Sequence, residues 1–355
     1  MPMPTGGRVA SMEKGHFVSD ITPGASIEGI FFVEQKRLLD TKNGIPYLAL
    51  TLSDRSGRIE GRLWENAAGF AGLFETGDAV FIKGEAQIFR ESLQVKLSVL
   101  RKVEVPDPGF FLPVTPADPD ALWSEFQRFM KGVKDPVLSG LLGFIFRDRR
   151  IAAAFRVAPA AKRMHHAYIG GLLEHSVSVA RNAVQVSRLY PQIDRDLLVT
   201  GAILHDIGKI DELRYDAPPI DYTDRGRLLG HIAIGLTIVE GFCPLLEDAP
   251  GAGERISALK HLILSHHGQR EFGSPVLPMT EEALVLHLID DLDAKLNFLA
   301  GLKKTLPAGR RSWTDFQKML DRYLFLPGLR LPGEGADEET EAGKGEMPPQ
   351  PGLWD

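Results

Sequence analysis

The sequence predicts a multidomain protein, with an N-terminal all-β barrel, a C-terminal all-α domain and a disordered acidic tail. Three observations support this fold class. Strand-like patterning fills the first hundred residues, helical periodicity begins near residue 120, and a proline-rich segment separates the two. The predicted boundaries are 1–105 for the barrel, 106–119 for a linker, 120–330 for the all-α domain and 331–355 for the tail. A chain of 355 residues can supply each domain with a hydrophobic core.

The composition excludes several classes of protein. Hydrophobic residues make up 44% and charged residues 25%, as in ordinary soluble domains, and no run of eighteen apolar residues appears. The N-terminus lacks the pattern of a secretory signal, and the single cysteine, Cys243, cannot form an internal disulfide. We therefore expect a cytoplasmic protein without a membrane partner.

The net charge of −6 is concentrated in the tail. From Gly333 onward there are seven acidic residues against one lysine, which leaves the rest of the chain near neutral. Composition therefore neither requires nor excludes a basic groove for nucleic acid.

Five strands are predicted in the N-terminal domain. Leu48, Leu50 and Leu52 alternate with less apolar residues, and Asn43-Gly44 is a turn signal before this strand. The predicted elements, in order, are strands at 26–38, 47–52 and 58–64, a short helix at 67–74, and strands at 77–88 and 91–105.

This order, with a helix after the third strand, is that of an OB-fold barrel, a fold used for binding oligonucleotides. The domain resembles nucleic-acid-binding OB domains of the anticodon-binding type, on the segments 42–47, 52–57, 63–65 and 77–78. Cationic and aromatic residues interleave, as a single-strand groove requires, although most of these rings could instead fill the barrel. The candidate contacts to the strand are Tyr47, Arg62, Trp64, Lys83 and Phe89.

The linker and the tail are predicted from composition. Five prolines between residues 106 and 119 predict a semi-rigid spacer, because proline cannot join a strand ladder. Residues 331–355 are rich in Gly, Glu and Pro, with too little apolar surface to order themselves.

A metal site is predicted in the all-α domain, where the apolar run 202–204 ends in His205 and Asp206. A buried carboxylate is costly unless it is compensated, and a bound cation would compensate it. Each histidine alone could be a hydrogen-bonded core residue, but together they fit that explanation poorly. Seven of the ten histidines lie at helix ends or within apolar stripes here: His175, His205, His231, His261, His266, His267 and His287. A His/Asp set without thiolates suits Mn, Fe, Co, Ni or Zn and argues against a cysteine-type structural zinc site.

The order of these residues resembles the HD superfamily of metal-dependent phosphohydrolases over a core of about 150–300. The resemblance implies core ligands at His175, His205, Asp206 and Asp290. His231, His266 and His267 match positions that hold a second ion in binuclear members, and would contact substrate if only one ion binds. We therefore expect one or two divalent ions, manganese being the preferred candidate. The predicted catalytic residues are His205, Asp206 and Lys209.

An OB domain before an HD domain, together with the segments 162–168 and 170–175, is similar to the YhaM-type 3'-5' exoribonucleases over nearly the whole chain. The resemblance implies a phosphodiesterase that degrades single-stranded RNA, with DNA as a further candidate. Lys162, Arg163, His165 and His166 are candidates for neutralising the phosphodiester, unless they form a solvated basic surface.

Two alternatives remain at this point. One is an HD phosphohydrolase acting on nucleotides or cyclic dinucleotides. The other is a non-catalytic nucleic-acid-binding regulator, against which the complete set of predicted ligands counts. A homo-oligomer is a further expectation that the sequence alone does not test.

Overall fold

A computed structural model describes residues 13–41, 43–90, 92–104, 107–162, 166–307 and 309–328. The chain divides after Asn297 into two compact units, residues 1–297 and 298–355. The predicted disordered tail, residues 331–355, lies outside the described residues.

The first unit begins with a closed five-stranded barrel of strand order β1-β2-β3-β5-β4. All strand pairs are antiparallel except β3 with β5, which is parallel. The elements are β1 (Ser26–Asp40), β2 (Pro46–Asp54), β3 (Gly57–Leu63), α1 (Ala67–Ala71), β4 (Ala79–Phe89) and β5 (Ser92–Val103). This topology confirms the predicted OB fold.

Alternation along the strands explains the barrel core. On β2 the side chains of Leu48, Leu50 and Leu52 are buried inside, while Tyr47 and Thr51 lie on the outer face. Phe31 and Val95 complete the interior from the neighbouring strands. The outer face of β2 and β3 is therefore left to polar and aromatic residues.

The segment after the barrel packs against both domains. Phe111 lies in an apolar cluster with Phe32 and Ala79 of the barrel, and the Arg55 backbone N–H donates to the Phe110 carbonyl at 2.9 Å. Leu112 packs with Leu213 and Ile220 of the following domain. Proline spacing predicts a spacer, but the phenylalanines and the leucine between the prolines supply apolar surface that is buried against neighbours.

The second domain of this unit is helical. Its helices are α2 (Pro119–Gly132), α3 (Pro136–Arg147), α4 (Arg149–Val157), α5 (Gly171–Leu189), α6 (Arg195–Leu204), α7 (Lys209–Glu212), α8 (Asp224–Phe242), α9 (Ala252–Ser265) and α10 (Glu281–Lys303). Aspartates cap the starts of α2, α3, α4 and α6 by accepting hydrogen bonds from backbone N–H groups. One continuous core is built from these helices, with Phe126, Leu141, Phe155, Leu198 and Leu262 fully buried in it.

The region 120–330 is not purely helical. Strands β6 (Leu213–Arg214) and β7 (Asp221–Tyr222) form a two-stranded sheet around Pro218 and Pro219, because proline cannot continue a helix. In the second unit, β8 (Arg311–Trp313) pairs with β9 (Phe325–Pro327). The predicted helical domain is confirmed, and these two short sheets are additions that the all-α prediction for 120–330 did not include.

Among the described residues one stretch, Asp224–Leu246, has the length and apolar composition of a membrane span. Core helices of soluble proteins pass the same test, so this is weak evidence. Ile234, Ile238 and Val239 of this stretch are buried in the helical core.

Candidate metal centre and nucleic-acid surface

Five segments of the helical domain converge on one cluster of histidines and aspartates. The ligand candidates come from the interior of α5 and α10, from the residue that follows a break at Gly230 within α8, and from the residues that follow the ends of α6 and α9. The cluster consists of His175, His205, Asp206, His231, His266, His267 and Asp290. His175 is fully buried, whereas helical periodicity alone places it at the edge of the apolar stripe.

A first group of four atoms could surround one cation. His175 Nε2 lies 3.1 Å from His205 Nε2 and 3.1 Å from Asp290 Oδ1, and Asp206 Oδ2 lies 3.6 Å from His175 Nε2. Ligand atoms about 2.1 Å from an ion lie roughly 3.0 to 3.4 Å apart in octahedral or tetrahedral sites. Two of these three separations lie in this range and the third, at 3.6 Å, is slightly longer, so small side-chain shifts would bring the four atoms around a divalent metal.

A second group faces the other oxygen of Asp206. Asp206 Oδ1 lies 3.3 Å from His231 Nε2 and 3.6 Å from His266 Nε2. These three atoms are buried without a hydrogen-bond partner. Ring nitrogens of His231, His266 and His267 all lie within 4.8 Å of one another. Because buried polar atoms are rarely left unsatisfied, a second cation is the partner this chemistry fits.

The orientation of five histidine rings supports the same conclusion. His205, His266 and His267 each place Nδ1 within hydrogen-bond distance of a backbone carbonyl oxygen, of Ala202, Ile263 and Phe272, at 3.0, 2.7 and 2.7 Å. A carbonyl can only accept, so Nδ1 carries the proton and Nε2 is left with a lone pair. Nδ1 of His175 and of His231 lies against a carboxylate in the same way. Metal-binding histidines are usually held by such outer hydrogen bonds.

Burial and charge set the protonation of the cluster. Burial alone would raise the pKa of the Asp206 carboxyl, but the Lys209 ammonium and the His205 ring hold that pKa well below its usual range. Burial lowers the pKa of His266 and of His267, which favours neutral rings that can bind a metal. For His175, burial is outweighed by Asp290 and Asp293, which raise its pKa to about 10. The carboxylates that attract a proton there would equally attract a metal cation.

Two carboxylates that hold ligand rings were not among the predicted site residues. Asp293 Oδ2 accepts from His175 Nδ1 at 2.8 Å, and Glu212 Oε1 accepts from His231 Nδ1 at 3.1 Å. Asp293 shares a helical face with Asp290, which is a signal in the sequence, whereas Glu212 is brought to His231 only by the tertiary fold.

The assignment of His166 to the phosphodiester needs correction. His166 is only 3% exposed, and its Nε2 lies 3.0 Å from Asp293 Oδ2. His166 therefore supports Asp293 and, through it, His175. Exposure is a tertiary property that the local sequence does not report.

An open cleft of about 580 Å³ leads to the cluster. Lys209 lines it and pairs with Asp206 Oδ2 at 2.8 Å, and Lys162 lines it while pairing with Asp221 at 2.6 Å. Both lysines can thus place positive charge beside a phosphodiester in the cleft. Arg163 and His165 lie outside the described residues.

The barrel carries a separate surface of cations and stacked rings. The rings of Tyr47 and Trp64 are stacked, with centroids 4.5 Å apart, and Trp64 is 40% exposed. The strand register places Arg37 opposite Ala49, Ala49 opposite Arg62, and Arg62 opposite Lys96. We call Arg37, Tyr47, Arg62, Trp64 and Lys96 the barrel face. Such a surface suits single-stranded nucleic acid, since cations pair with phosphates and rings stack on bases.

The other two predicted barrel contacts lie on β4, the strand that pairs with β5, and their contact with nucleic acid stays a prediction. Lys83 is on β4, where it lies opposite Glu28 of β1 and pairs with it at 2.9 Å. Phe89 is exposed at the end of β4, beside Arg90. The sequence shows that these residues lie in strands but not which side of a closed barrel they occupy.

A helical domain with this His/Asp centre, joined to an OB barrel, defines the class of metal-dependent HD phosphohydrolases that carry a nucleic-acid-binding module. The family model of the HD domain matches residues 172–295, and that of the OB-fold nucleic acid binding domain matches residues 26–103.

Curated relatives extend over most of the chain. A protein of Halalkalibacterium halodurans named 3'-5' exoribonuclease YhaM is 33% identical over 317 residues, which is 87% of this chain and 95% of that protein. The Bacillus subtilis protein of the same name is 34% identical, and the match covers 81% of this chain and 90% of that protein. The chain belongs to the YhaM family of 3'-5' exoribonucleases.

Proposed function

We propose that this chain is a metal-dependent 3'-5' exoribonuclease that shortens single-stranded RNA at the His/Asp centre while the barrel holds the strand. The observation that carries the proposal is the convergence of four ring nitrogens, those of His175, His205, His231 and His266, on the two oxygens of one buried carboxylate, Asp206. RNA is favoured over DNA because the relatives are named exoribonucleases.

Within the centre, each group of residues has a distinct task. His175, His205, Asp206 and Asp290 would hold one ion, and His231, His266 and His267, together with Asp206, would hold a second. Divalent ions supply an activated water and bind phosphate oxygens. Asp293 and Glu212 orient His175 and His231, and Lys209 places a positive charge beside the phosphodiester. This positive charge favours the more negative transition state of phosphodiester cleavage.

The nature of the metal follows from the donor atoms. The cluster offers imidazole nitrogens and carboxylate oxygens and no sulfur, which suits Mn and also Fe, Co, Ni or Zn. We propose manganese as the working metal. A cytoplasmic location and a homo-oligomeric state stay predictions from the sequence.

The number of ions is tested by replacing His266. His266→Ala removes one nitrogen facing Asp206 Oδ1 and leaves the first group intact, so we expect bound metal to fall from two ions per chain towards one. Elemental analysis after equilibration with Mn²⁺ measures this directly. His261→Ala is the matched control, because His261 lies on α9 and accepts a hydrogen bond from the Met279 backbone instead of facing the centre. Two ions retained in His266→Ala would assign this histidine to substrate binding.

The barrel face is tested by removing one ring and one cation. Trp64→Ala and Arg62→Gln should each raise the KM for a long single-stranded RNA, since stacking contributes about 1–3 kcal/mol per base. Arg62→Gln should also lower the salt dependence of binding by roughly 0.7 in the log–log slope, the value for one phosphate contact on a single strand.

The control for the barrel face is Lys102→Gln. Lys102 lies on β5 beyond the residues that pair with β3, and its ion pair is with Asp78. This variant should keep the wild-type KM and salt slope. Wild-type values in Trp64→Ala and Arg62→Gln would mean that the strand binds elsewhere.

A further inference from the structure

Two aromatic side chains line the cleft that leads to the metal centre. Tyr222 is 39% exposed and Phe272 is 63% exposed, and both lie in the wall of the cleft that also contains His231, His267 and Asp290. Singly exposed apolar residues are common on protein surfaces, so exposure alone carries little weight. The informative features are the position of these rings and the way their backbones are held.

Phe272 is tied to a ligand candidate of the second group. Its carbonyl oxygen lies 2.7 Å from His267 Nδ1, which donates to it. Phe272 belongs to a short 3-10 turn, Arg270–Phe272, that ends at Gly273. The hydrogen bond that orients the His267 ring thus also holds the backbone from which the Phe272 ring projects.

Tyr222 is tied to another ligand candidate of the same group. On β7 it lies opposite Leu213 of β6, and the residue before Leu213 is Glu212. Glu212 Oε1 accepts from both the backbone N–H and Nδ1 of His231, at 2.9 and 3.1 Å. The Tyr222 ring is therefore placed relative to His231 by a continuous set of backbone and side-chain hydrogen bonds.

Cations accompany the tyrosine. Lys162 Nζ and the Arg227 guanidinium lie 5.5 and 5.8 Å from the Tyr222 ring centroid, near the outer limit of a cation–π contact. Both also pair with Asp221, at 2.6 and 2.9 Å. Positive charge beside an exposed ring is the combination that binds a nucleotide, since the ring stacks on the base and the cation faces the phosphate.

We propose that Tyr222 and Phe272 form a nucleobase subsite that stacks on the unpaired bases next to the scissile phosphodiester. This inference rests on the proposed function, because it identifies which part of the RNA the cleft recognises beyond the phosphate. Stacking accepts every base, so the subsite selects for an unstacked, single-stranded end and not for a sequence. A base still paired in a duplex offers no free face to either ring.

The test compares two 5'-labelled RNA oligonucleotides, one with ordinary nucleotides and one with abasic residues at its last two 3' positions. The wild-type protein should shorten the ordinary strand with the higher kcat/KM. Tyr222→Ala and Phe272→Ala should each reduce that preference by about 5- to 150-fold, equivalent to ~1–3 kcal/mol per base. Tyr222→Phe and Phe272→Tyr keep a stacking ring and should restore it.

Two controls separate stacking from damage to the centre. Bound metal is measured in every variant and should stay at the wild-type level. The groups that hold His231 and His267 are Glu212 and a backbone carbonyl, and the substitutions leave both in place. Tyr190→Ala removes an exposed tyrosine that follows α5 and is not part of the cleft wall, and it should keep the wild-type preference. An unchanged preference in both Tyr222→Ala and Phe272→Ala overturns the subsite.

Equilibrium binding of the same oligonucleotides in the presence of a chelator distinguishes failure of the subsite from failure of the proposed function. If the wild-type protein does not shorten RNA but binds the ordinary strand more tightly, and Tyr222→Ala loses this difference, the subsite stands and the nuclease assignment fails. If RNA is shortened and the rings make no difference to rate or binding, the nuclease assignment stands and the subsite fails.

Discussion

Asp206→Asn is expected to lower the rate of RNA shortening by at least about 10³-fold, because metal-assisted charge stabilisation contributes several kcal/mol and each 1.36 kcal/mol is a factor of ten. Its two carboxylate oxygens face the two groups of ring nitrogens, so the amide takes one negative charge away from both ion sites at once and leaves Asp290 as the carboxylate of the first group. Elemental analysis should show loss of both ions. Binding of long RNA to the barrel face should persist.

The control is Asp224→Asn, an exposed aspartate in the first turn of α8, on the helical segment that ends at Gly230, just before His231. It should keep wild-type metal content and turnover, with a loss of stability of only a few tenths of a kcal/mol from the helix dipole. Wild-type metal content and rate in Asp206→Asn would exclude Asp206 as the residue shared by the two groups.

Gly208→Ala should remove the second ion, although it replaces none of the proposed metal ligands. A Cβ built on Gly208 would lie 2.0 Å from the His231 carbonyl oxygen and 2.6 Å from the Gly235 backbone nitrogen. These are backbone atoms, so α8 has to move and carry His231 away from Asp206. We expect about one ion per chain, a rate lower by at least about 10²-fold, and a stability loss of roughly 1–3 kcal/mol from overpacking.

Gly241→Ala on the same helix is the matched control. A Cβ there meets nothing within 4 Å, so alanine should be neutral or should stabilise the helix by up to about 1 kcal/mol. Metal content, thermal unfolding and RNA shortening are measured for both variants. If Gly208→Ala keeps two ions and full activity, the close approach of α8 is not what places His231.

The fold was largely predictable because its determinants are local. Alternation along β2 and the order of five strands with a helix after the third predicted the barrel, and the topology confirms it. The apolar run ending at His205 and Asp206 likewise indicated a buried site before any tertiary contact was known. The two-stranded sheet of β6 and β7 was missed, since strands of two residues are too short for a period to show.

The features that the sequence did not predict depend on contacts between segments that are distant in the chain. Glu212 meets His231 through the packing of α7 on α8, and Asp293 meets His166 across 127 positions. His166 looked like part of a basic surface because its sequence neighbours are basic, but tertiary packing buries it. Lys83 on β4 and Arg62 on β3 have β5 between them, a strand order that a linear pattern does not show.

The most direct test follows a 5'-labelled single-stranded RNA over time with the full chain, in Mn²⁺, in chelator, and after Mn²⁺ is restored. The account predicts labelled products that shorten stepwise from the 3' end, no shortening in chelator, and recovery when Mn²⁺ returns. Undiminished shortening in chelator, or release of the label as a mononucleotide from the 5' end, would contradict a metal-dependent 3'-5' exoribonuclease.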